Sequence, residues 1–362
     1  MKRITFFIAL IWANLLTAQS SWNYLPNAPA GTGRIDDVFF LDTLTGWSGS
    51  ASGKVHKTTD GGQTWNLQLA TGYVRCVEFV NADLGFVGTL DKKFFRTTNG
   101  GQIWTNIINS ITPKPDAVCG ISCIDSLYSV AVGEWDSPAF FLKTITGGMT
   151  WVNKSMTTHA NALVDVLFLS RDTGFVSGKS STGATILYTT DGGVTWTEKY
   201  NSNTPGEYVW KMQRINKSNH WVGSVQTFGG GKMVKSSDNG QTWTAISVPM
   251  LPDMQGIGFA TPLHGWVGGY INGFFETIDE GQNWEFKDFG GNFNRFHFID
   301  STLAFASGES IYKFSPTQVS TQPNPKPMKD DGFKLVLSPN PVLDRLYIEY
   351  DLPVQKDRKS VV

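Results

Sequence analysis

The sequence predicts an all-β fold, a seven-bladed β-propeller built from four-stranded blades. Six tryptophans end the same eight-residue phrase, clearest as Thr58-Thr59-Asp60-Gly61-Gly62-Gln63-Thr64-Trp65. An apolar hairpin pattern precedes each phrase. With a seventh, N-terminal tryptophan the spacing runs from 39 to 47 residues, at Trp22, Trp65, Trp104, Trp151, Trp196, Trp243 and Trp284. A near-constant period of this length indicates one supersecondary unit copied many times.

The repeated phrase predicts a tight turn between two strands. Its Asp or Asn accepts backbone N–H groups across the turn, and its glycines supply the positive φ that other residues resist. The tryptophan begins the next strand and buries its ring against the turn. We therefore predict a structural role for the turn residues Asp60, Asn99, Asp191, Asp238 and Asp279, and for the tryptophans Trp65, Trp104, Trp151, Trp196, Trp243 and Trp284.

The hairpin pattern supplies the remaining strands of each blade. Alternating apolar residues, a polar turn and then Gly with an aromatic residue predict a β-hairpin, as in residues 38–47. Three strands per blade fit near residues 35–60, 74–99, 117–146, 163–191, 208–238, 253–279 and 293–314. The last copy lacks a fourth strand, and the strand at Trp22 has no blade in front of it. The N-terminal strand is therefore predicted to complete the seventh blade and close the ring.

The N-terminal segment and the overall charge bear on location and partners. Residues 1–18 contain Lys2-Arg3, an apolar run and Thr17-Ala18, which predicts a signal peptide before a propeller at 19–316. No later segment is long and apolar enough to predict a transmembrane helix. The net charge of −1 gives no indication of a nucleic acid or an anionic membrane as partner. An exported protein is predicted.

The cysteines and histidines indicate no metal or cofactor. Cys76, Cys119 and Cys123 are an odd number, which leaves at least one thiol free. Cys119 and Cys123 would lie roughly 13 Å apart on one strand, too far for a disulfide. A bridge from Cys76 to another blade stays open, but buried thiols are the expectation. The five histidines lack metal-ligand spacing.

The C-terminal segment differs in composition from the repeats. Residues 317–332 are Pro-rich and predict a semi-extended linker. Residues 333–356 contain Pro339-Asn340-Pro341 followed by Leu346-Tyr347-Ile348. They resemble the start of a type IX secretion C-terminal sorting domain, here a truncated β-sandwich-like module. The resemblance implies contact with the type IX machinery, then release or attachment at the surface of a Gram-negative bacterium. Residues 357–362 equal a translated sequencing adapter, and we expect them to be non-native read-through.

The turn phrase resembles the Asp-box (BNR-like) repeat of bacterial neuraminidases, sortilin-like receptors and xyloglucan hydrolases, where the boxes are architectural. The Arg-Ile-Pro motif of sialidases does not occur, because Arg34 is followed by Ile35-Asp36. A glycosidase needs two carboxyl groups about 5–10 Å apart. Candidates at the starts of inner strands are Asp36 or Asp37, Asp165 and Asp253. Sequence spacing does not show whether any two of them converge.

The phrase extended to Lys57 resembles the repeats of photosystem II stability/assembly factor-like propellers. Members of that family are seven-bladed binding scaffolds, and some carry an arginine-rich patch on one face. The resemblance suggests a cationic channel mouth, to which Asp37 and Asp165 would add opposing charge. The candidate cations begin inner strands and are Arg34, Arg75, Lys211 and Arg295. The secretion segment argues against a photosynthetic role.

These observations predict a secreted or cell-surface propeller that binds an extracellular protein or glycan through its loops and channel mouth. No catalysis and no cofactor are expected. The alternative prediction is a glycoside hydrolase that acts on extracellular polysaccharide. The two differ in whether the channel carboxylates are available for chemistry.

Overall fold

The computed structural model describes residues 20–29, 33–249, 253–316, 334–338 and 347–351. The chain divides into two compact units, Met1–Thr317 and Gln318–Val362. The predicted signal peptide, the linker, the Pro-Asn-Pro segment and residues 357–362 lie outside the described residues. In the second unit, β29 (Lys334–Ser338) pairs antiparallel with β30 (Tyr347–Asp351).

The first unit is a ring of seven antiparallel four-stranded sheets, as predicted. The innermost strands are β2 (Ile35–Phe40), β6 (Val74–Phe79), β10 (Gly120–Cys123), β14 (Ala162–Phe168), β18 (Tyr208–Arg214), β22 (Met254–Phe259) and β26 (Arg295–Phe298). The second strands are β3 (Gly46–Ser50), β7 (Gly85–Thr89), β11 (Ser129–Gly133), β15 (Gly174–Lys179), β19 (Trp221–Gln226), β23 (Gly265–Gly269) and β27 (Ala304–Ser307).

The outer half of each blade repeats the same order. The third strands are β4 (Lys54–Thr58), β8 (Phe94–Thr97), β12 (Phe140–Thr144), β16 (Ala184–Thr189), β20 (Gly231–Ser236), β24 (Asn272–Thr277) and β28 (Ile311–Pro316). The outermost strands are β5 (Asn66–Ala70), β9 (Thr105–Asn106), β13 (Val152–Ser155), β17 (Thr197–Asn201), β21 (Thr244–Val248), β25 (Glu285–Gly291) and β1 (Ser20–Tyr24). Short 3₁₀ turns occupy Ile108–Ser110 and Ile215–Lys217.

The N-terminal strand closes the ring, as the sequence predicted. Strand β1 is the outermost strand of the seventh blade and pairs antiparallel with β28, with Trp22 opposite Phe314. The indole of Trp22 is 8% exposed. Its ring lies 5.5 Å from that of Trp266 and 5.4 Å from that of Phe296. The closing strand therefore buries a large ring between the sixth and seventh blades.

The repeated turns are held by side chains bonded to the local backbone. Asp60 Oδ1 accepts the Thr64 N–H at 2.9 Å, and Thr58 Oγ1 accepts the Gly62 N–H at 2.9 Å. Gly61 and Gly62 have φ values of 71° and 90°, which favour glycine. The Thr64 hydroxyl and N–H lower the pKa of Asp60 to about 2. In other blades the side-chain oxygen at the same position of the turn accepts the N–H of the residue four positions on, as in Asn99, Asp191, Asp238 and Asp279.

Adjacent blades are joined at these turns by cations that precede the phrase. Lys57 Nζ donates to the Gly100 carbonyl at 3.0 Å, and Lys143 Nζ donates to the Gly192 carbonyl at 2.9 Å. In each case the accepting glycine belongs to the turn of the next blade. Because the turns lie at equivalent places, one residue type repeats the same bond around part of the ring.

The apolar core lies between the faces of adjacent blades. Trp47 of the first blade stacks on Phe79 of the second with ring centroids 3.5 Å apart. Phe40 of the first blade stacks on Phe305 of the seventh at 3.4 Å. Each blade thus buries its faces against its neighbours, as repeat architectures require. Among the described residues, no helix is long and apolar enough to cross a membrane.

The three cysteines are free thiols. Cys76 and Cys119 are buried, and Cys123 is half-buried. Burial raises the pKa of Cys119 to about 12, so this thiol stays protonated at neutral pH. The described propeller therefore relies on strand pairing and packing for its closure.

Trp22→Ala is expected to lower the free energy of unfolding by about 3–5 kcal/mol, because it removes a buried aromatic ring at the closure. Urea unfolding followed by circular dichroism measures the change. Ile278→Ala is the control, since Ile278 is 74% exposed and its loss should cost no more than about 0.5 kcal/mol. An equal, small effect of both substitutions would show that the closing indole does not stabilise the ring.

Candidate functional site

The candidate site is the central channel, and β-bulges at the start of the innermost strands shape it. The register shifts by one residue in β2, β6, β14, β18 and β22. The extra residue of a bulge does not follow the regular alternation of side chains between the two faces of the sheet. The extra residues are Asp36, Arg75, Val164, Trp210 and Gln255. We call the end of the channel where the innermost strands begin the strand-start mouth, and the other end the strand-end mouth.

A charged cluster centred on Asp36 lies at the strand-start mouth. Arg34 Nε donates to Asp36 Oδ1 at 2.6 Å, and Arg75 Nη1 donates to Asp36 Oδ2 at 3.2 Å. Arg34 also donates to Gln255 Oε1 at 2.9 Å and to the Tyr73 hydroxyl at 3.2 Å. Asp36 is fully buried. Both predicted cations at this mouth are therefore paired with Asp36, which the sequence offered as an alternative to Asp37.

A second charged layer lies one residue deeper in the channel, on β2, β14, β18 and β26. Arg295 Nε donates to Asp37 Oδ1 at 2.9 Å, and Arg295 Nη2 donates to Asp165 Oδ1 at 3.2 Å. Burial lowers the pKa of Arg295, but the charges of Asp165 and Asp37 raise it more, so it lies above its usual value. One guanidinium thus bridges two carboxylates from the first and fourth blades.

Lys211 completes this layer. Its Nζ lies 4.0 Å from Asp165 Oδ1, and the residue is 1% exposed. That Nζ has no hydrogen-bond partner among the described residues. Burial, followed by the nearby charges of Arg295 and Arg75, lowers the pKa of Lys211 to about 8. The lysine is therefore a weakly compensated buried cation.

The two channel carboxylates also bond the backbone of the next blade. Asp37 Oδ2 accepts the Val77 N–H at 2.9 Å, and Asp165 Oδ2 accepts the Met212 N–H at 2.8 Å. An innermost strand pairs on one side only, so the N–H groups on its channel edge need other acceptors. Asp37 and Asp165 supply acceptors to the neighbouring edge.

A third layer repeats this arrangement two residues further along. Each side chain belongs to one innermost strand, and each N–H that it accepts belongs to the innermost strand of the next blade. The bonds are Glu78 Oε1 with Cys123 N at 2.7 Å, Ser122 Oγ with Phe168 N at 3.0 Å and Gln213 Oε1 with Phe259 N at 2.6 Å. His297 Nε2 donates instead to the Phe40 carbonyl at 2.8 Å, and burial lowers the pKa of this imidazole to about 4.

Aromatic side chains surround the strand-start mouth. Tyr208 and Trp210 stack 4.8 Å apart, the Arg75 guanidinium lies 5.4 Å over Trp210, and that of Arg34 lies 4.4 Å over Tyr270. The Tyr208 hydroxyl donates to the Trp135 carbonyl at 2.7 Å. Phe228, on the turn between β19 and β20, is 79% exposed. We call this set the aromatic collar: Tyr73, Trp135, Tyr208, Trp210, Phe228 and Tyr270.

A cavity of about 890 Å³ opens at the strand-end mouth. Asp37, Asp165 and Arg295 line its inner part, and Arg214 and Lys217 line its rim. Glu78 lines its wall, and burial is the main cause that raises the pKa of this carboxyl to about 8. Glu78 is therefore protonated at neutral pH. Apolar side chains complete the wall, among them Phe39, Leu167, Met212, Phe296, Phe298 and Ile299.

The structure separates the residues that the sequence grouped together. Arg34 and Arg75 reach the strand-start mouth, whereas Lys211 and Arg295 lie in the deeper layer. Asp37 and Asp165 converge on Arg295. Asp253 does not join them, because it is exposed on the connection before β22 and accepts a bond from Gln226 Nε2.

Two channel side chains, Glu78 and Gln255, were missed at the sequence level, and Asp36 was considered only as an alternative to Asp37. Asp36 precedes a recognised candidate, and the bulge decides which of the two aspartates faces which layer. Glu78 and Gln255 occupy strand positions equivalent to other channel residues, and alignment of the seven repeats is the signal that finds them. Within the described ranges, no group of three His, Cys, Asp or Glu residues is placed to hold a metal ion.

Comparisons with known proteins agree with this architecture. A family model described as photosynthesis system II assembly factor YCF48 matches residues 143–252, which is under a third of the chain. A structure titled "YCF48 bound to D1 peptide" is 20% identical with a TM-score of 0.62, covering 82% of this chain and 96% of that one. No curated protein matches.

Two further structures share the fold. YCF48 from Cyanidioschyzon merolae is 18% identical with a TM-score of 0.65, covering 82% of this chain and 99% of that one. The GH74 enzyme of Niastella koreensis is 13% identical with a TM-score of 0.60, covering 81% of this chain and 53% of the enzyme. At these identities the likeness concerns the fold alone.

Asp165→Asn is expected to lower the free energy of unfolding by about 3–5 kcal/mol, because it leaves Arg295 and Lys211 with less compensating charge in a buried site. Asp125→Asn is the matched control, since Asp125 pairs with Arg171 at the surface and should cost about 1 kcal/mol or less. Urea unfolding of both variants measures the difference. Equal destabilisation would contradict a structural role for the channel pair.

Glu78→Gln is expected to stabilise the protein at pH 8 and to leave its stability unchanged at pH 4. The raised pKa of Glu78 means that the unfolded carboxyl ionises near its usual value while the folded one stays protonated to about pH 8. Stability is therefore lost as pH rises between these values.

Urea unfolding of wild type and Glu78→Gln across pH 4–8 tests this, with a difference of roughly 1–2 kcal/mol at pH 8 after allowance for partial solvent screening. Glu285→Gln, at an exposed ion pair, is the control. A difference that does not change with pH would refute a raised pKa at Glu78.

Proposed function

We propose that this protein is an exported, non-catalytic scaffold that binds an extracellular protein or glycan. The supporting observation is that the channel carboxylates are occupied. Asp36, Asp37 and Asp165 each bond an arginine, and the last two also accept a backbone N–H from the next blade. Groups held in this way serve packing and charge balance rather than proton transfer to a substrate.

The aromatic collar is the surface that we propose for binding. Tyr and Trp present large rigid faces together with a polar atom, and they are enriched where proteins bind partners. Trp135 is 45% exposed and Tyr270 is 52% exposed. Arg34 and Arg75 lie beneath these rings and are already paired, so they hold the collar in place. The predicted cationic patch thus becomes a support for an aromatic surface.

A polypeptide is the partner class that we favour over a glycan. The solved YCF48 structure is described as bound to a peptide. That protein shares the ring architecture, so we extend the idea of peptide binding to this chain as a proposal. A glycan would use the same exposed rings by stacking. Binding assays with both ligand classes distinguish them.

We also propose export through a type IX route and display at, or release from, the surface of a Gram-negative bacterium. Support comes from the sequence alone, through the leader at 1–18 and the resemblance at 333–356. Secretion of the full chain, compared with a chain lacking residues 333–362, in a host with a type IX system would test this part.

A glycoside hydrolase is the second candidate, favoured by the convergence of Asp37 and Asp165 on one guanidinium. The two carboxylates are close enough to share Arg295, and a cavity reaches them. For hydrolysis, one carboxyl would have to donate a proton while the other attacks or activates water. Turnover of polysaccharide that is lost in both Asp37→Asn and Asp165→Asn, with folding preserved, would support this candidate.

Replacing Trp135 and Tyr270 together by alanine is expected to reduce capture of extracellular partners at least tenfold, because both rings leave the collar. Immobilised wild-type and variant protein are compared on culture-supernatant proteins and on a glycan array. Phe286→Ala with Val152→Ala is the matched control, since both are exposed on outermost strands. Loss of binding in the control but not in the collar variant would contradict the proposal.

A further inference from the structure

We propose that the cavity at the strand-end mouth binds the C-terminal end of a polypeptide, with the terminal carboxylate at the rim cations and apolar side chains against the wall. This site lies at the opposite end of the channel from the aromatic collar and does not depend on it. Its volume of about 890 Å³ lies within the range of small-ligand pockets and accommodates a few residues of extended chain.

The rim supplies two cations without carboxylate partners among the described residues. Arg214 donates its Nε to the Ser218 carbonyl at 2.7 Å, which leaves its terminal nitrogens available. Lys217 is exposed and stands in a left-handed turn with φ of 58°. Asn216, beside it, donates its amide to the Ala260 carbonyl of the next blade, which fixes the turn. Two cations on one anchored turn favour a bound anion.

The remaining charges of the cavity are largely compensated, and one carboxylate lies at the rim. Asp37 and Asp165 are compensated by Arg295 and by backbone N–H groups. Asp300, on another part of the rim, directs its Oδ1 to the N–H groups of its own turn. Glu78 is protonated at neutral pH because burial raises its pKa to about 8. At the rim, two cations, Arg214 and Lys217, therefore stand against one carboxylate, Asp300, and the balance of charge there is positive.

The wall specifies an apolar stem on the anion. The cavity is lined by the apolar residues Phe39, Leu167, Met212, Phe296, Phe298 and Ile299. Phe39, Leu167, Phe298 and Ile299 are half-buried, and an inorganic anion would make no apolar contact with the surface that they leave open to the cavity. A carboxylate carried on Leu- or Phe-like side chains satisfies the cations and the apolar wall together. A chain terminus supplies this combination, whereas an internal peptide segment has no carboxylate at its end.

The test uses the full chain and a fluorescein-labelled hexapeptide that ends in Leu-Phe-Leu. Fluorescence anisotropy compares the free C-terminal acid with the same peptide amidated. We expect the acid to bind at least tenfold more tightly, because the amide removes the charge. Equal affinities, or no binding of either peptide at 1 mM protein (about 4 kcal/mol of binding free energy), would overturn the proposal.

Lys217→Glu locates the site, since Lys217 is exposed and its replacement leaves the core intact. It should weaken binding of the acid at least tenfold and leave the amide unchanged. Lys114→Glu, an exposed cation on the strand-start side, is the charge-matched control and should have no effect. Equal effects of the two variants would overturn the site. Decanoate as competitor tests the source of the carboxylate, and displacement at equal concentration would overturn the assignment to a polypeptide.

Discussion

Each innermost strand of the ring leaves one backbone edge facing the channel, and in the second to sixth blades a side chain of the preceding blade accepts an N–H group of that edge. Asp37 and Asp165 do this in one layer, and Glu78, Ser122 and Gln213 do it in the next. A buried N–H without an acceptor costs about as much as a lost hydrogen bond. The polar side chains that line the channel are therefore needed to close the ring, before any role in binding.

This requirement decides which groups are available for function. Carboxylates that accept backbone N–H groups and bridge to Arg295 are held in one orientation. The side chains that are still able to contact a ligand lie at the two mouths of the channel. One mouth presents exposed rings above paired arginines, and the other presents Arg214 and Lys217 above a cavity with an apolar wall. Binding at the mouths fits this division better than chemistry inside the channel.

The ring was predictable from the sequence because its determinants are local and repeated. Asp60 and the glycines beside it define a turn within eight residues, and the copies of that turn count the blades. The closure by the strand of Trp22 was predictable because the last repeat lacked its fourth strand and the N-terminus carried one strand without a blade. The second blade needed no separate argument, since its turn uses Asn99 for the same backbone bond.

The channel was only partly predictable because its geometry depends on pairing between strands. A one-residue bulge sends Asp36 to the mouth and Asp37 to the layer beneath, and nothing in Ile35-Asp36-Asp37 announces the bulge. Arg75 and Lys211 look equivalent by position in the sequence, yet the register places them in different layers. Arg214 and Lys217 lie at the strand-end mouth, where a short 3₁₀ turn follows β18, and the repeat pattern does not predict this turn. Convergence across blades must be seen in three dimensions.

Amide hydrogen exchange measured by NMR on the channel-facing N–H groups tests the role of these inter-blade bonds most directly. The amides of Val77, Met212 and Phe259 have no strand partner on the channel side, yet each donates to a side chain of the preceding blade. We predict that they exchange as slowly as amides inside the sheets, such as that of Val87. Exchange at the rate of exposed turn amides would mean that the edges are open to water and that the channel residues do not close the ring.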